Sequence, residues 1–273
     1  MSSGQQPPYV GRIIYREDLT SDLAIIRVQP ADGSPVPDYK AGQFVALGLK
    51  LDGDDDKITY RAYSLSSPPE EKRYFEFYIK WAKEPVMGKF TSALFNMGEA
   101  AELYWRKPAG AFTIEEKRPD GTPDMRRLIL VASGTGLAPF ISYVLHLKNI
   151  GSKRQVVLLH GARYAQELGY REILERLAAE SGSNFKYLPT VSRPDHPLSK
   201  DWHGSTGRVE TLLGRRLEEA VGEKVTPDNS FFHICGYQGT IDSVVAILSP
   251  LGFVTNRNRR KDGSFDIKIE TYG

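Results

Sequence analysis

One short motif combines the residue types that could hold a flavin. In Arg61-Ala62-Tyr63-Ser64, a guanidinium, an aromatic ring and a hydroxyl follow one another on a strand-like stretch. Arginine can bridge a pyrophosphate, tyrosine can cover an isoalloxazine or ribityl group, and serine can hydrogen-bond a ring nitrogen. These are the groups that a flavin dinucleotide needs. A surface arginine beside a core tyrosine is the structural alternative.

A second motif, Gly88-Lys89-Phe90-Thr91, places a glycine at the start of a predicted helix. The free backbone N–H groups and the positive end of the helix dipole would suit a phosphate. An ordinary helix cap would use the same residues.

A third motif, Ser133-Gly134-Thr135-Gly136-Leu137-Ala138-Pro139, follows the apolar run Leu128–Ala132. A buried strand, a glycine turn and a helix N-terminus together form a cradle for an anion. Pro139 fits the first turn of that helix, where a missing N–H costs nothing. The spacing differs from the Gly-x-Gly-x-x-Gly of dinucleotide folds.

Three arginines, Arg163, Arg193 and Arg208, come just after predicted strand ends. A 2′-phosphate calls for clustered guanidiniums, whereas a ribose 2′-hydroxyl calls for a carboxylate. No acidic residue occupies the corresponding strand end. Taken singly, each arginine also reads as an ordinary surface residue.

Two further features lie near the C-terminus. The apolar strand Phe231–Cys235 ends beside Gly236, which permits close backbone approach. An inert core thiol is the alternative reading of Cys235. The alternating run that begins at Ile267 contains Glu270 and Tyr272, and an edge strand is its simplest interpretation.

In this order, the motifs resemble those of the ferredoxin–NADP reductase family, in which a flavin barrel precedes a nucleotide-binding α/β domain. The resemblance covers nearly the whole chain after residue 9. It implies FAD contacts at Arg61, Ala62, Tyr63, Ser64, Tyr78, Gly88, Lys89, Phe90, Thr91, Thr135 and Tyr272. It implies NADP(H) contacts at Thr135, Gly136, Ala162, Arg163, Ser192, Arg193, Arg208, Gly236, Tyr237 and Gln238. The same resemblance implies catalytic roles for Ser64, Cys235, Glu270 and Tyr272.

The resemblance mixes two subclasses. The three arginines match the bacterial-type pattern and favour NADP over NAD, and Cys235 would position the nicotinamide ring. Glu270-x-Tyr272 is similar to the ending of plastid-type reductases, in which a terminal tyrosine stacks on the flavin. Tyr237-Gln238-Gly239 replaces a more usual Asn-Pro loop, and Gly273 is an extra residue.

Composition excludes several classes of protein. Of the 273 residues, 40% are apolar and 26% are charged, a composition that fits a folded globular protein. The net charge of +2 gives no whole-protein argument for nucleic-acid binding. One cysteine cannot form an internal disulfide or hold an iron–sulfur cluster. No metal site is expected. No stretch approaches the roughly 20 apolar residues of a membrane span, so a cytoplasmic protein without membrane insertion is the expectation.

The elements that must position these residues fall into two sets. Up to about residue 124, short β-like runs predict an antiparallel β-barrel, with a helix at Gly88–Asn96 and a solvated hairpin tip at Asp52–Asp56. Beyond the turn-rich residues 118–123, strands alternate with helices at 138–149, 167–179, 209–220 and 239–248, which predicts a parallel sheet. We therefore expect an FAD-binding β-barrel domain over residues 1–124 and an NADP-binding α/β domain over residues 125–273.

The expected function is electron exchange between NADP(H) and a one-electron carrier, ferredoxin or flavodoxin. FAD would be the adaptor, since a flavin can join a two-electron donor to a one-electron carrier. One alternative is the reductase component of an oxygenase system that lacks its own iron–sulfur domain. Another is a non-catalytic subunit for nucleotide sensing or electron transfer.

Overall fold

Two six-stranded sheets organise residues 8–51, 57–83, 87–182 and 184–272, the part of the chain that the computed structural model describes. The chain divides into two compact units. The N-terminal unit comprises the residues up to Thr113 together with Ile141–His146, and the C-terminal unit comprises Ile114–Phe140 and the residues from Leu147 onward. The domain boundary between residues 124 and 125 stays a prediction. The hairpin tip expected at Asp52–Asp56 lies outside the described residues.

The sheet of the N-terminal unit is antiparallel, as predicted. Its strands are β1 (Tyr9–Thr20), β2 (Leu23–Pro30), β3 (Phe44–Lys50), β4 (Ile58–Ser64), β5 (Phe75–Lys80) and β6 (Glu102–Trp105), and its helix is α1 (Lys89–Phe95). The strand order is β4-β3-β6-β1-β2-β5, and an antiparallel bridge between Leu65 and Phe77 joins the end of β4 to β5. This bridge closes the sheet into a barrel.

The barrel core follows from strand alternation. Phe75, Phe77 and Ile79 lie in one buried cluster with Leu47 and Trp105, because every second side chain of a strand points to the same face. Strand β5 therefore fills the barrel with half of its side chains, and the other half, which includes the buried Tyr78, lies on the opposite face of the strand.

The sheet of the C-terminal unit is parallel, again as predicted. Its strands are β7 (Arg127–Ser133), β8 (Val156–Ala162), β9 (Phe185–Val191), β10 (Ser205–Thr206), β11 (Ser230–Gly236) and β12 (Ile267–Thr271). The helices after them are α2 (Ala138–Asn149), α3 (Arg171–Ser181), α4 (Arg215–Val221) and α5 (Gln238–Leu248). The strand order is β10-β9-β8-β7-β11-β12, so the direction of winding reverses between β7 and β11. In open α/β sheets, ligands bind at the carboxyl ends of strands beside such a reversal.

Two helix predictions were wrong in detail, and both errors have a backbone cause. The helix expected over 209–220 is interrupted, since Gly214 has φ 75° and only a 3₁₀ turn, Val209–Leu212, precedes it. The helix expected from 167 begins at Arg171, after Tyr170 with φ 60°. A positive φ cannot continue a right-handed helix.

Candidate active site

Two glycines allow the turn after β7 to touch the end of β11. A Cβ at Gly136 would overlap the carbonyl O of Cys235, and a Cβ at Gly236, where φ is 147°, would overlap Ser133 Oγ. Any larger residue at either position would force the two segments apart. The predicted anion cradle is therefore built by Gly134–Leu137, a 3₁₀ turn, packed against the Cys235–Gly236 backbone.

Ser133 also fixes the start of the next segment, a role that the sequence did not reveal. Its Oγ accepts a hydrogen bond from the Tyr237 backbone N–H at 3.3 Å. The Tyr237 side chain is 57% exposed and lies near Gly134, and Gln238 begins α5. Four of the predicted NADP contacts thus share one edge of the sheet: the half-buried Thr135, Gly236, Tyr237 and Gln238.

Cys235, Glu270 and Tyr272 meet at the junction of β11 and β12. Cys235 pairs with Glu270 in the parallel register, and its thiol donates a hydrogen bond to Glu270 Oε2 at 3.9 Å. The Tyr272 N–H donates to the Gly236 carbonyl O at 3.1 Å. Burial, and then the adjacent Glu270 carboxylate, raise the pKa of the Cys235 thiol well above its ordinary value. The thiol is protonated at neutral pH and is not a nucleophile.

The three predicted arginines follow adjacent strands. The Ser192 N–H donates to the Ala162 carbonyl O at 3.0 Å, and the Arg193 N–H donates to the Arg163 carbonyl O at 3.0 Å, so the loops after β8 and β9 run side by side. Arg208 follows β10, the next strand of the sheet. All three side chains are exposed, and none forms an ion pair with any residue that the structure describes. They are free to bind an anion.

The sequence did not predict a contact between two aromatic side chains beside these arginines. The rings of Tyr164 and His196 lie 4.2 Å apart, and Arg193 Nη1 donates to Tyr164 Oη at 3.3 Å. This contact restrains the Arg193 side chain. The position of Tyr164, directly after Arg163 at a strand end, was the available signal.

In the N-terminal unit, the predicted flavin motif forms the last four residues of β4. Arg61 and Ala62 are exposed, whereas Ser64 is buried. Tyr63 packs on Phe77 and Phe90 with ring centroids 6.5 and 6.0 Å away, and burial raises the pKa of its hydroxyl. Arg61 Nη1 donates to its neighbour Tyr60's carbonyl O at 2.9 Å, and no carboxylate pairs with Arg61 in the described ranges. Its remaining donors are available to a phosphate.

The start of α1 is held in place by Thr91. Its hydroxyl donates to the Gly88 carbonyl O at 3.1 Å and accepts from the Ala82 N–H at 3.3 Å. Phe90 is buried in the barrel core and Lys89 is exposed. The backbone N–H groups of Lys89, Phe90 and Thr91, which precede the first intrahelical bonds, have no protein acceptor within the described chain.

Two aromatic residues lie near this segment of the barrel. Tyr78 is 3% exposed, but it points away from the face of β5 that carries Phe75 and Phe77. Trp81, which the sequence analysis overlooked, donates from Nε1 to Ser92 Oγ of α1 at 3.0 Å. Trp81 therefore ties the chain after β5 to the helix.

No group of three or more His, Cys, Asp or Glu side chains in the described ranges could hold a metal ion. No helix among these residues combines the length and the apolar character needed to cross a membrane.

Comparison with family models assigns both units. Residues 11–114 match the model described as an oxidoreductase FAD-binding domain, and residues 130–246 match the oxidoreductase NAD-binding domain. The first match covers nearly all of the antiparallel sheet, and the second runs from within β7 to within α5, so that β12 lies beyond it.

Individual relatives give the same result. The chain is 28% identical over 242 residues to a flavodoxin/ferredoxin–NADP reductase of Buchnera aphidicola subsp. Schizaphis graminum, covering 86% of this chain and 88% of that protein. It is 29% identical over 239 residues to a ferredoxin–NADP reductase of Azotobacter vinelandii, covering 84% and 86%. Among solved structures, a ferredoxin NADP+ reductase from Neisseria gonorrhoeae with bound FAD and NADP shares the fold, with a TM-score of 0.76, 22% identity and coverage of 96% and 97%.

Proposed function

Because the chain belongs to the ferredoxin–NADP reductase family of flavoprotein oxidoreductases, which joins an FAD-binding to an NAD-binding domain, we propose that it exchanges electrons between NADP(H) and a one-electron carrier protein. The carrier is a ferredoxin or a flavodoxin, the partners that the names of its relatives print. The observation that supports NADP(H) is a set of exposed arginines on adjacent loops, Arg163, Arg193 and Arg208, which form no ion pair with any described residue.

The residues of the N-terminal unit fit a flavin dinucleotide. Arg61 has guanidinium donors with no described acceptor, and the first N–H groups of α1 have no acceptor among the described residues, so the unit offers cationic and neutral donors to a pyrophosphate. Tyr63 and Ser64 would contact the remainder of the cofactor. FAD bound by these residues would supply the conversion between two-electron and one-electron transfer.

The residues of the C-terminal unit fit a nicotinamide dinucleotide. Gly136 and Gly236 keep the cradle free of side chains, and the arginines bind the 2′-phosphate at the far end of the sheet. Cys235 holds its proton against Glu270 and fixes the position of that carboxylate. Its part is to orient the reacting groups, since the raised pKa of the thiol removes covalent catalysis.

The test is reduction of the purified protein under anaerobic conditions. We expect a yellow protein with about one FAD per chain that NADPH reduces faster than NADH, followed by reoxidation with ferredoxin or flavodoxin. A folded preparation that contains FMN alone or no flavin would contradict the proposal. Reduction by NADPH without electron transfer to either carrier would instead favour the reductase component of an oxygenase.

A further inference from the structure

The amino edge of the parallel sheet, opposite the proposed coenzyme site, holds an unusual number of buried cations. The side chains of Arg126, Arg127 and Arg154 are only 9%, 8% and 6% exposed. Two carboxylates, Asp124 and Asp266, are buried with them at 1% and 3% exposure. Burying a charge is costly unless an opposite charge compensates it.

Two of these arginines are well compensated. Arg126 pairs with Asp124 at 2.6 Å and with Asp266 at 2.8 Å, and Arg127 pairs with Glu223 at 2.6 Å. Burial by itself would raise the pKa of Asp124, but the hydrogen bonds from Arg126 outweigh it and hold that pKa below its ordinary value. Asp124 is thus already committed to Arg126.

Arg154 has no carboxylate at hydrogen-bond distance among the described residues. Its Nε and Nη1 donate to the carbonyl O atoms of Arg126 and Glu115 at 2.6 and 2.7 Å. Its Nη2 is buried, lies 3.7 Å from Asp124 Oδ1, and has no hydrogen-bond acceptor in the part of the chain that the structure describes. Burial lowers the pKa of Arg154 to about 10, although Asp124, Glu115 and Glu116 favour its charged form.

A cavity of about 530 Å³ opens at this edge. Its charged lining residues are Arg118, Arg126, Arg127, Lys153, Arg154 and Asp228. Arg118 and Lys153 are exposed, and neither forms an ion pair with a described residue. The cavity therefore presents two cations without a described ion-pair partner in front of a buried cluster in which Arg154 Nη2 has no described acceptor.

We propose that this cavity binds a small phosphate-bearing anion. A phosphate has several strong acceptor oxygens, which suit the donors of Arg118 and Lys153 and the lining of a cavity that holds five cationic side chains and one carboxylate. The volume lies within the range of small-molecule sites and accommodates a ligand up to the size of a mononucleotide. This site is separate from the proposed coenzyme site, because the two lie at opposite edges of one sheet.

Calorimetric titration with inorganic pyrophosphate tests the proposal, with and without saturating NADP+. The test variant is Arg118→Ala/Lys153→Ala, which removes two exposed side chains and leaves the buried pairs intact. The control variant is Lys72→Ala/Arg73→Ala, which removes the same two residue types from the N-terminal unit. We expect one pyrophosphate per wild-type chain, an affinity at least tenfold lower in the test variant, and no change in the control variant or with NADP+.

Equal affinity of the wild type and the test variant would overturn the proposal, as would displacement of pyrophosphate by NADP+. A parallel titration with AMP in saturating NADP+ distinguishes the source of the phosphate. Tighter binding of AMP than of pyrophosphate, lost in the test variant, identifies a nucleotide. Tighter binding of pyrophosphate identifies an inorganic anion.

Discussion

At the scale of single residues, Cys235 is defined by its surroundings. It is fully buried, and its thiol donates to Glu270, so it carries a proton at all physiological pH values. A thiol in this state can position a neighbour but cannot attack a substrate. Its contribution to the reaction must therefore come from geometry.

Replacing Cys235 by Ser should slow flavin reduction by NADPH while leaving the flavin content and most of the NADP+ affinity unchanged. The hydroxyl keeps a donor for Glu270 but is smaller than the thiol, so the reacting groups lose their exact alignment. Single-turnover absorbance at the flavin band measures the rate. Cys235→Ala, which removes the donor, should be slower still. A wild-type rate in both variants would make Cys235 an ordinary core residue.

Arg193→Ala and Arg208→Ala should each raise the KM for NADPH roughly 10- to 150-fold, because a charge-assisted hydrogen bond contributes about 1.5–3 kcal/mol. The KM for NADH should change little, since NADH lacks the 2′-phosphate. Steady-state dye reduction with both coenzymes measures the difference. Arg176→Ala, at an exposed position of α3, is the control. Equal losses with NADPH and NADH would show that the arginines do not read the phosphate.

At the scale of elements, the contact between the β7 turn and β11 depends on the absence of a side chain. Gly136→Ala should destabilise the protein by about 1–3 kcal/mol, because the new Cβ overlaps the Cys235 carbonyl and must displace it. It should also weaken NADP+ binding. Denaturant unfolding and coenzyme titration measure the two effects.

Gly239→Ala is the matched control for this prediction. A Cβ at Gly239 meets no atom within 4 Å, and the residue lies in α5, where alanine is a better helix former than glycine. The control should be neutral or slightly stabilising. If Gly136→Ala behaved in the same way, the two segments would not need their close approach.

The end of β12 supports a second prediction at this scale. Tyr272 is bonded through its N–H to Gly236, beside the predicted nicotinamide position. Deleting Tyr272 and Gly273 should therefore tighten NADP+ binding. If the ring occupies that position in about nine of ten molecules, the affinity rises about tenfold.

Deleting Gly273 alone is the control for the truncation and should leave the affinity unchanged. Titration of NADP+ followed by the flavin difference spectrum measures all the proteins. If Tyr272 is merely the end of an edge strand, the truncation should alter neither the spectrum nor the affinity and should cost only a little stability.

At the scale of the whole molecule, stability should depend on the buried His160 of β8. His160 is fully buried, its Nδ1 lies 2.9 Å from Tyr187 Oη, and its Nε2 has no partner within the described ranges. Burial lowers its pKa to about 3. The unfolded chain, with an ordinary histidine pKa near 6.5, takes up this proton first as the pH falls.

The free energy of unfolding should therefore fall by about 1.4 kcal/mol per pH unit between roughly pH 6 and pH 3.5 on account of this residue. Above about pH 7.5 this histidine is neutral in both states, and its contribution is constant. His160→Leu should flatten the slope in this window, whereas His203→Leu, at an exposed position, should not. Urea unfolding at several pH values measures the slope, and an identical slope in the His160 variant would exclude the histidine as its cause.

The sequence by itself determined the class of both sheets and most of their strands. The apolar run Leu128–Ala132 predicted a buried strand, and the aromatic run Tyr74–Lys80 predicted a strand of the barrel, which the structure has at Phe75–Lys80. Such strands can be predicted from the sequence because the periodicity of apolar residues is a local property of the chain. The order of the motifs also predicted the FAD and NADP(H) sites. Glycine turns and arginines after strands indicate phosphate binding by their residue types alone.

Only the tertiary structure decided which residues meet. Ser133 supports Tyr237 across 104 positions of sequence, and Cys235 meets Glu270 because β11 and β12 are neighbours in the sheet. The break at Gly214 and the buried Nη2 of Arg154 without an acceptor among the described residues could not be predicted either, because a glycine is compatible with many conformations and the cost of a buried charge depends on partners that the sequence does not identify. These features depend on strand order and on long-range packing, which no single stretch of residues encodes.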